Sequence, residues 1–361
     1  MKISQVITKR QFSDFIHLGD IIHRDHPQYI APIKMLLRQT FNRKKNPFWE
    51  KADYVLFVAY SGNQPVGRIA AICFKTKQEG HFGFFDCIND FNAALSLINA
   101  VKRHFKEKNI YSFTGPLNPS INYELGVLDS GFEQQAFFMM NYNPPYYGKL
   151  LQQLGAKEEM SFSAFEQPCG IRDEKITRVC RLLKKRYPIK IDEIDYSNYD
   201  NEAKKLCRIY NDAFINHWGY DPFTEKEFVY MARSLKSILN RRLLFTLSFN
   251  GEPVAFILAV PNLNEAIQHL PYGKFTLTGL WKFFKTKQKI KWVKVMVIAV
   301  KQKYQHLGLG SILYAEMASR VEQEGYLGGE ISWVATENLR MNKIVMEMGA
   351  KKTKEYKIYR F

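Results

Sequence analysis

The sequence predicts an α/β (α+β) protein of two domains, each a mixed sheet flanked by helices, and three observations carry that prediction. Stretches of strand length alternate with stretches of helical periodicity along the whole chain. At 361 residues the chain has room for two domains. A pattern seen in the first half returns in the second. Hydrophobic residues are 46% of the chain and aromatics 14%, which supplies packed cores and lies far from the composition of disorder.

Taken in order, Tyr54–Ala59 reads as a strand, Gly62-Asn63 as a turn and Pro65–Ile72 as the returning strand of a hairpin. His81–Asp86 is a third strand. Asn92–Lys108 has helical periodicity through Leu95, Ile98, Val101 and Phe105, and Ile110–Thr114 is a further short strand. Gly115–Tyr147 is rich in Gly, Pro, Asn and Tyr and reads as loop. Gly148–Leu154 is a helix closing on Gly155, and Met160–Phe165 a strand. Pro168, Gly170 and a basic helix, Arg178–Arg186, mark a boundary. The expected organisation is a first domain over 1–168, a linker over 169–190 and a second domain over 191–361.

The pattern then restarts. Asn201–Asn216 is a helix, Leu243–Phe249 a strand, Asn250-Gly251 a turn and Glu252–Val260 the returning strand. Val293–Val300, Glu330–Val334 and the Tyr-rich end are strands; Ser311–Glu324 and Asn338–Met348 are helices. Each half has a returning strand opening on Pro-Val (Pro65-Val66, Pro253-Val254) and a late helix closing on Gly-Ala-Lys (Gly155-Ala156-Lys157, Gly349-Ala350-Lys351). This reads as a diverged internal duplication.

Charge and cysteines bound the function classes. A net charge of +17 suits polyanionic partners such as nucleic acid, anionic lipid or phosphorylated cofactors. Five widely spaced cysteines with no C-x-x-C fit neither a disulfide framework nor a zinc site, so a reducing compartment and no metal are expected. The N-terminal residues lack the apolar core of a signal peptide, and no apolar run is long enough to span a bilayer. The expectation is a cytoplasmic protein, peripheral at most to the inner membrane surface.

The strongest chemical signal is Val297–Ser311. A buried strand runs into a polar loop, then Gln305-His306-Leu307-Gly308-Leu309-Gly310, then a helix. Unpaired N–H groups at a helix start, the helix dipole and glycines without Cβ atoms together suit a pyrophosphate. Leu309, Leu313, Met317 and Val321 give that helix one apolar stripe. Neither G-x-G-x-x-G nor G-K-[ST] is present.

Gln305–Gly310 resembles the Q/R-x-x-G-x-G/A signature of the GNAT acyltransferases. Glu337-Asn338 and Lys343–Ala350 resemble that family's later motif, an Asn beside the cofactor and a helix ending at a glycine. The resemblance covers Leu206–Phe361. The first half resembles the same fold without the Q-x-x-G-x-G loop, so a degenerate copy is expected there.

The resemblance implies an acyl-CoA or acetyl-CoA donor held by Ile298, Val300, Gln305, His306, Leu307, Gly308, Leu309, Gly310, Ser311 and Asn338. It implies attack of a neutral amine on the thioester, with backbone N–H groups polarising the carbonyl. The helix tyrosine that the family often uses as general acid is replaced by Val345. Glu330, Glu337, His306 and Tyr356 are then the candidate acids and bases. Asn216, His217 and Trp218 in the second half, with Asn122 and Tyr142 in the first, are candidate acceptor contacts.

Asn46-Pro47-Phe48, Val66–Ala70, Gly115–Asn122, Tyr142–Tyr147 and His217–Pro222 together resemble a group of two-domain bacterial GNAT proteins. Some of these are similar to the bacterial ceramide synthases, which N-acylate a sphingoid base. Leu270–Lys294 holds seven lysines interleaved with Tyr272, Phe275, Trp281, Phe283, Phe284 and Trp292. That composition suits an anionic membrane surface and a small-molecule or lipid amine acceptor, and nucleic acid is not expected. Two other readings stay open: an aminoacyl-tRNA-dependent transferase of tandem GNAT fold, against which the intact Q-x-x-G-x-G speaks, and a non-catalytic acyl-CoA-binding protein, which the missing helix tyrosine fits.

Overall fold

The structure is a computed structural model that describes residues 1–171 and 174–361, with 174–177 as backbone. The chain opens with β1 (Lys2–Gln5), α1 (Lys9–Ile22), α2 (Lys34–Thr40) and α3 (Phe48–Lys51). Three long strands follow, β2 (Ala52–Ser61), β3 (Gln64–Phe74) and β4 (Gly80–Cys87). Next come α4 (Phe91–Lys106), β5 (Phe113–Gly115), the short β6 (Leu117–Asn118) and β7 (Glu124–Leu125), β8 (Val127–Ser130), α5 (Tyr146–Gln153) and β9 (Lys157–Pro168). The second cycle is α6 (Glu174–Arg186), β10 (Ile189–Glu193), α7 (Tyr199–Phe214), α8 (Glu225–Leu235), β11 (Leu244–Phe249) and β12 (Glu252–Pro261). It continues through α9 (Asn264–Ile267), α10 (Leu277–Lys287), β13 (Trp292–Val300), α11 (Leu309–Gln323), β14 (Gly328–Ala335), α12 (Leu339–Glu347) and β15 (Lys351–Arg360).

Two compact units result, and their membership is not sequential. Unit 1 comprises Met1–Phe162, Asn264–Thr286 and Lys354–Phe361; unit 2 comprises Ser163–Leu263 and Lys287–Thr353. The range 191–361, expected as one domain, thus gives two of its stretches to unit 1. The range 169–190, expected as a linker, holds α6 and the start of β10, and Cys180 and Leu183 of α6 pack in the core of unit 2.

In unit 1, β1 to β4 form an antiparallel run, β5 lies parallel to β4, and β15 lies antiparallel to β5. Strand alternation sorts the side chains. Phe57 and Ala59 join Leu97, Ile98, Val101 and Phe105 of α4 on one face. Leu56 and Val58 join Phe15 and Ile16 of α1, with Phe41, Phe48 and Trp49, on the other. A capping box between Thr8 and Gln11 starts α1.

Unit 2 repeats the scheme. β10 to β13 are antiparallel, and β14 is parallel to β13. Leu206 and Ile209 of α7 cover Phe256 and Ala299 on one face; Leu309, Leu313 and Met317 of α11 cover Ala255, Ile257 and Val293 on the other. The shared Pro-Val step has a structural counterpart. In β2–β3, Tyr60 opposes Pro65 and Ala59 opposes Gly67, so Val66 is the extra residue of a β-bulge. In β11–β12, Ser248 opposes Pro253 and Leu247 opposes Ala255, so Val254 is the extra residue there.

Unit 1 also buries a polar knot. Asp86, on β4, accepts hydrogen bonds from Arg68 Nε at 2.8 Å, from the Tyr147 hydroxyl at 3.0 Å and from His23 Nε2 at 2.9 Å. Arg68 also donates to the Phe15 carbonyl at 2.6 Å. Burial alone would raise the Asp86 pKa, but Arg68, His23 and Tyr147 outweigh it and hold the carboxyl well below the usual carboxylate range. The stabilisation is therefore present above the unfolded carboxylate pKa of about 4 and is lost as pH falls below it. Replacing Asp86 by Asn strands a buried guanidinium, and the expected loss is about 3–5 kcal/mol in urea denaturation near neutral pH. The difference between variant and wild type should shrink in acid; equal stability at neutral pH would show that the knot contributes nothing.

Candidate functional site

The site in unit 2 is built where one strand loses a neighbour. β13 pairs with β12 along its length, from Pro261–Val293 to Ala255–Val300. Its parallel ladder with β14 runs only from Trp292–Gly328 to Val295–Ile331. Both strands continue beyond that point, β13 to Val300 and β14 to Ala335. A bulge beside Leu258/Ala259 marks the parting and makes Met296 the extra residue. Val293 and Val295 before it face α11, whereas Val297 and Ala299 after it face α7. The backbone of β13 beyond Val295 thus has one edge without a partner strand among the described residues.

The loop after β13 is held by its side chains. Gln305 Nε2 donates to the carbonyls of Val300 and Ala213, both at 3.1 Å. Gln302 N–H donates to Asp212 Oδ1 at 2.7 Å, and Lys301 pairs with Glu252 at 2.6 Å. The chain reaches Gly308 with φ +73°, a left-handed conformation that favours glycine, and α11 begins there with no side-chain cap. Leu309 is fully buried, and His306 is exposed beside the turn. A Cβ at Gly310 would meet no atom within 4 Å. The fold itself does not need glycine at 310. These features fit the pyrophosphate of a CoA thioester. Ile298 and Val300 pack in the core, and the Val300 carbonyl is engaged by Gln305.

Glu330 precedes the parting by one residue. Alternation from Ile331, which packs beneath α11, turns it to the opposite face. It is fully buried and accepts a hydrogen bond from the Ser332 hydroxyl at 2.7 Å. Lys294, also buried, stands opposite it in the ladder, with its ammonium 4.5 Å from the Trp333 ring centroid. Glu337 and Asn338 are exposed, and Asn338 caps α12 by accepting from Met341 N–H at 3.0 Å. Val345 is fully buried.

The remaining candidates sit elsewhere. Asn216 and His217 are exposed and Trp218 half-buried after α7, where His217 lies edge-on to Phe214 and partial desolvation lowers its pKa. Asn122, Tyr142 and Tyr356 belong to unit 1. Asn122 is half-buried, and its backbone N–H donates to the Ser120 hydroxyl oxygen. Tyr142 is buried and donates to the Phe132 carbonyl. Tyr356 is fully buried, with its hydroxyl 3.4 Å from the Asn141 carbonyl.

Sequence reading missed Ser332 and Asp212, and it counted Lys294 among the lysines of a membrane-facing stretch, whereas Lys294 is buried within β13. Asp212 carried no signal, because its bond to Gln302 spans 90 positions.

Comparison with known proteins agrees with this geometry. Residues 203–349 match the acetyltransferase (GNAT) family. The chain is similar to the bacterial ceramide synthase of Caulobacter vibrioides, with 31% identity across 99% of this chain and 97% of that protein. It is also similar to protein YghO of Escherichia coli, with 26% identity across 98% and 93%. Among solved structures it resembles a tandem GNAT protein from the clavulanic acid biosynthesis pathway, with a TM-score of 0.58 and 10% identity over 100% and 98% of the two chains.

The two glycines should separate by stability. Gly308→Ala forces a left-handed alanine and should cost about 1–2 kcal/mol. Gly310→Ala lies in the first turn of α11 with free space and should leave stability unchanged or raise it by up to about 1 kcal/mol. Thermal unfolding of the two variants checks this. Equal losses would mean that both glycines serve the fold alone.

Proposed function

The chain belongs to the GNAT family of N-acyltransferases, and we propose that it transfers a long-chain acyl group from CoA to the amine of a long-chain amino alcohol such as a sphingoid base. The observation that carries the donor half is the parting of β13 from β14 beside the uncapped start of α11. When bound, the CoA thioester supplies the activated acyl carbonyl. Backbone N–H groups from Gly308 to Gly310 serve its pyrophosphate, with His306 beside them and the Ser311 N–H already given to the Gly308 carbonyl. The unpartnered edge of β13 around Ile298 serves the pantetheine arm and polarises the carbonyl. Gln305 acts by holding the loop in shape, since its amide is engaged by Val300 and Ala213. Asn338 contributes by fixing the first turn of α12.

An ammonium must lose a proton before it attacks. Glu330 is our choice for the base. It is buried, held by Ser332 and placed one residue before the strands part. Glu337 is exposed and Tyr356 is engaged within unit 1, so neither is favoured.

Two observations support a lipid acceptor. The relative that is 31% identical over nearly the whole of both chains is named as a ceramide synthase. On α10, Leu277, Trp281 and Phe284 share one face at helical spacing and are 90%, 63% and 58% exposed, with Lys282 and Lys285 exposed alongside. An exposed apolar stripe flanked by lysines suits the interface of an anionic membrane. No helix among the described residues is long and apolar enough to cross a membrane.

Calorimetric titration with CoA, acetyl-CoA and palmitoyl-CoA tests the donor. Palmitoyl-CoA should bind most tightly, and Gly310→Val should weaken all three by tenfold or more without loss of fold. Wild-type binding by that variant removes the loop from the site. Glu330→Gln should lower kcat on sphinganine by about a hundredfold or more while leaving CoA affinity intact; an unchanged kcat excludes it as base. Replacing Leu277, Trp281 and Phe284 by Ser should reduce co-sedimentation with phosphatidylglycerol vesicles, and no reduction would refute the membrane contact.

A further inference from the structure

The polar knot of unit 1 has one atom left over. Asp86 accepts from Arg68, Tyr147 and His23, and Tyr147 in turn receives the Cys87 N–H at 3.0 Å. Nearby, Lys34 donates to Asp20 at 2.5 Å. His23 Nε2 faces the acceptor-only carboxylate of Asp86 and so carries a proton. In the neutral ring Nδ1 is then an acceptor. His23 is 3% exposed, and among the described residues no group hydrogen-bonds Nδ1.

The ring is fixed as well as tautomerically locked. Tyr29 stacks on it at 4.0 Å between centroids and 16° between planes. His26 and Tyr142 stand at its edges, 6.2 and 6.3 Å away. A network serving only stability would satisfy its own members, because a buried acceptor without a donor is costly. Here every other contact of the knot is internal, and a single oriented acceptor faces an aromatic surround. The knot also employs Arg68 of the Val66–Ala70 stretch and Tyr147 of the Tyr142–Tyr147 stretch, which the CoA loop leaves unexplained.

We propose that unit 1 contains a binding site for the polar head of a small amine or alcohol, in which His23 Nδ1 accepts a hydrogen bond from the ligand's amino or hydroxyl group. Asp86 is the positioning residue that keeps the proton on Nε2. Tyr29, His26 and Tyr142 form the aromatic wall, which also suits an ammonium. The choice of ligand rests on the reading above, in which the acceptor substrate is an amino alcohol; the site itself does not.

The test uses the full chain with isotope-labelled histidine nitrogens. Nuclear magnetic resonance should report His23 as the neutral Nε2–H tautomer. Serinol, the head of a sphingoid base without its tail, should shift the Nδ1 resonance. Isopropylamine and glycerol separate the sources, since the arm that reproduces the shift names the donor as amine or hydroxyl. His23→Gln places an amide N–H where Nε2 was and removes the Nδ1 acceptor. It should keep the thermal stability and the CoA affinity of the wild type, yet raise KM for sphinganine tenfold or more. An Nδ1–H tautomer, an Nδ1 resonance that ignores all three probes, or wild-type KM in His23→Gln would overturn the proposal. A serinol shift in a chain that binds no CoA would defeat the donor reading alone; acyl transfer with a silent His23 would defeat this inference alone.

Discussion

A β-strand has two hydrogen-bonding edges, and β13 keeps both satisfied only as far as Val295. Everything else in unit 2 follows from that limit. The bulge at Met296 turns Val297 and Ala299 toward α7 and lets β13 stay on β12 while β14 leaves. The edge so released is backbone that must find a partner, because buried N–H and C=O groups are costly when unpaired. The loop pinned by Gln305 then delivers α11 with its first N–H groups uncapped beside that edge. Under the function proposed above, an extended ligand with amide groups and a pyrophosphate meets both requirements.

Unit 1 shows what the same fold does without that demand. Its hairpin carries the same bulged valine after proline, and β5 follows β4 in parallel as β14 follows β13. Its helix α4, however, starts on Asp90, whose carboxylate accepts from Ala93 N–H at 2.7 Å. A covalent carboxylate thus caps α4, whereas α11 has no side-chain cap. The polar character of unit 1 is concentrated instead around Asp86.

Much of this was legible in the sequence, because the strands and amphipathic helices are strongly patterned. The hairpins at Gly62-Asn63 and Asn250-Gly251, the helix behind Gly310 and the duplication all have local signals. What escaped lacks one. The capping box Thr8–Gln11 was present but fronts a polar first turn, so α1 went unread. The Gly115–Tyr147 stretch hides β6, β7 and β8, whose pairing is decided by distant partners. His23 and Asp86 meet across 63 positions, a distance over which no periodicity operates. Gln305 was read from the motif as a cofactor contact, whereas the geometry shows its amide bonded to two carbonyls. Nor does any local pattern reveal which strands a final strand pairs with.

That last strand has a consequence for how the chain is made. Lys354–Phe361 belongs to unit 1, pairing with β5 and β8, yet it is translated after all of unit 2. Domains emerging from the ribosome generally fold in order, N-terminal first. Here the first unit must wait, with its sheet edge at β5 open, until the second has been synthesised. An open edge is a template for mispairing, so the interval between the two events is a period of exposure that a simple beads-on-a-string arrangement would avoid. The two units are therefore bound into one act of folding by the order of the sequence itself.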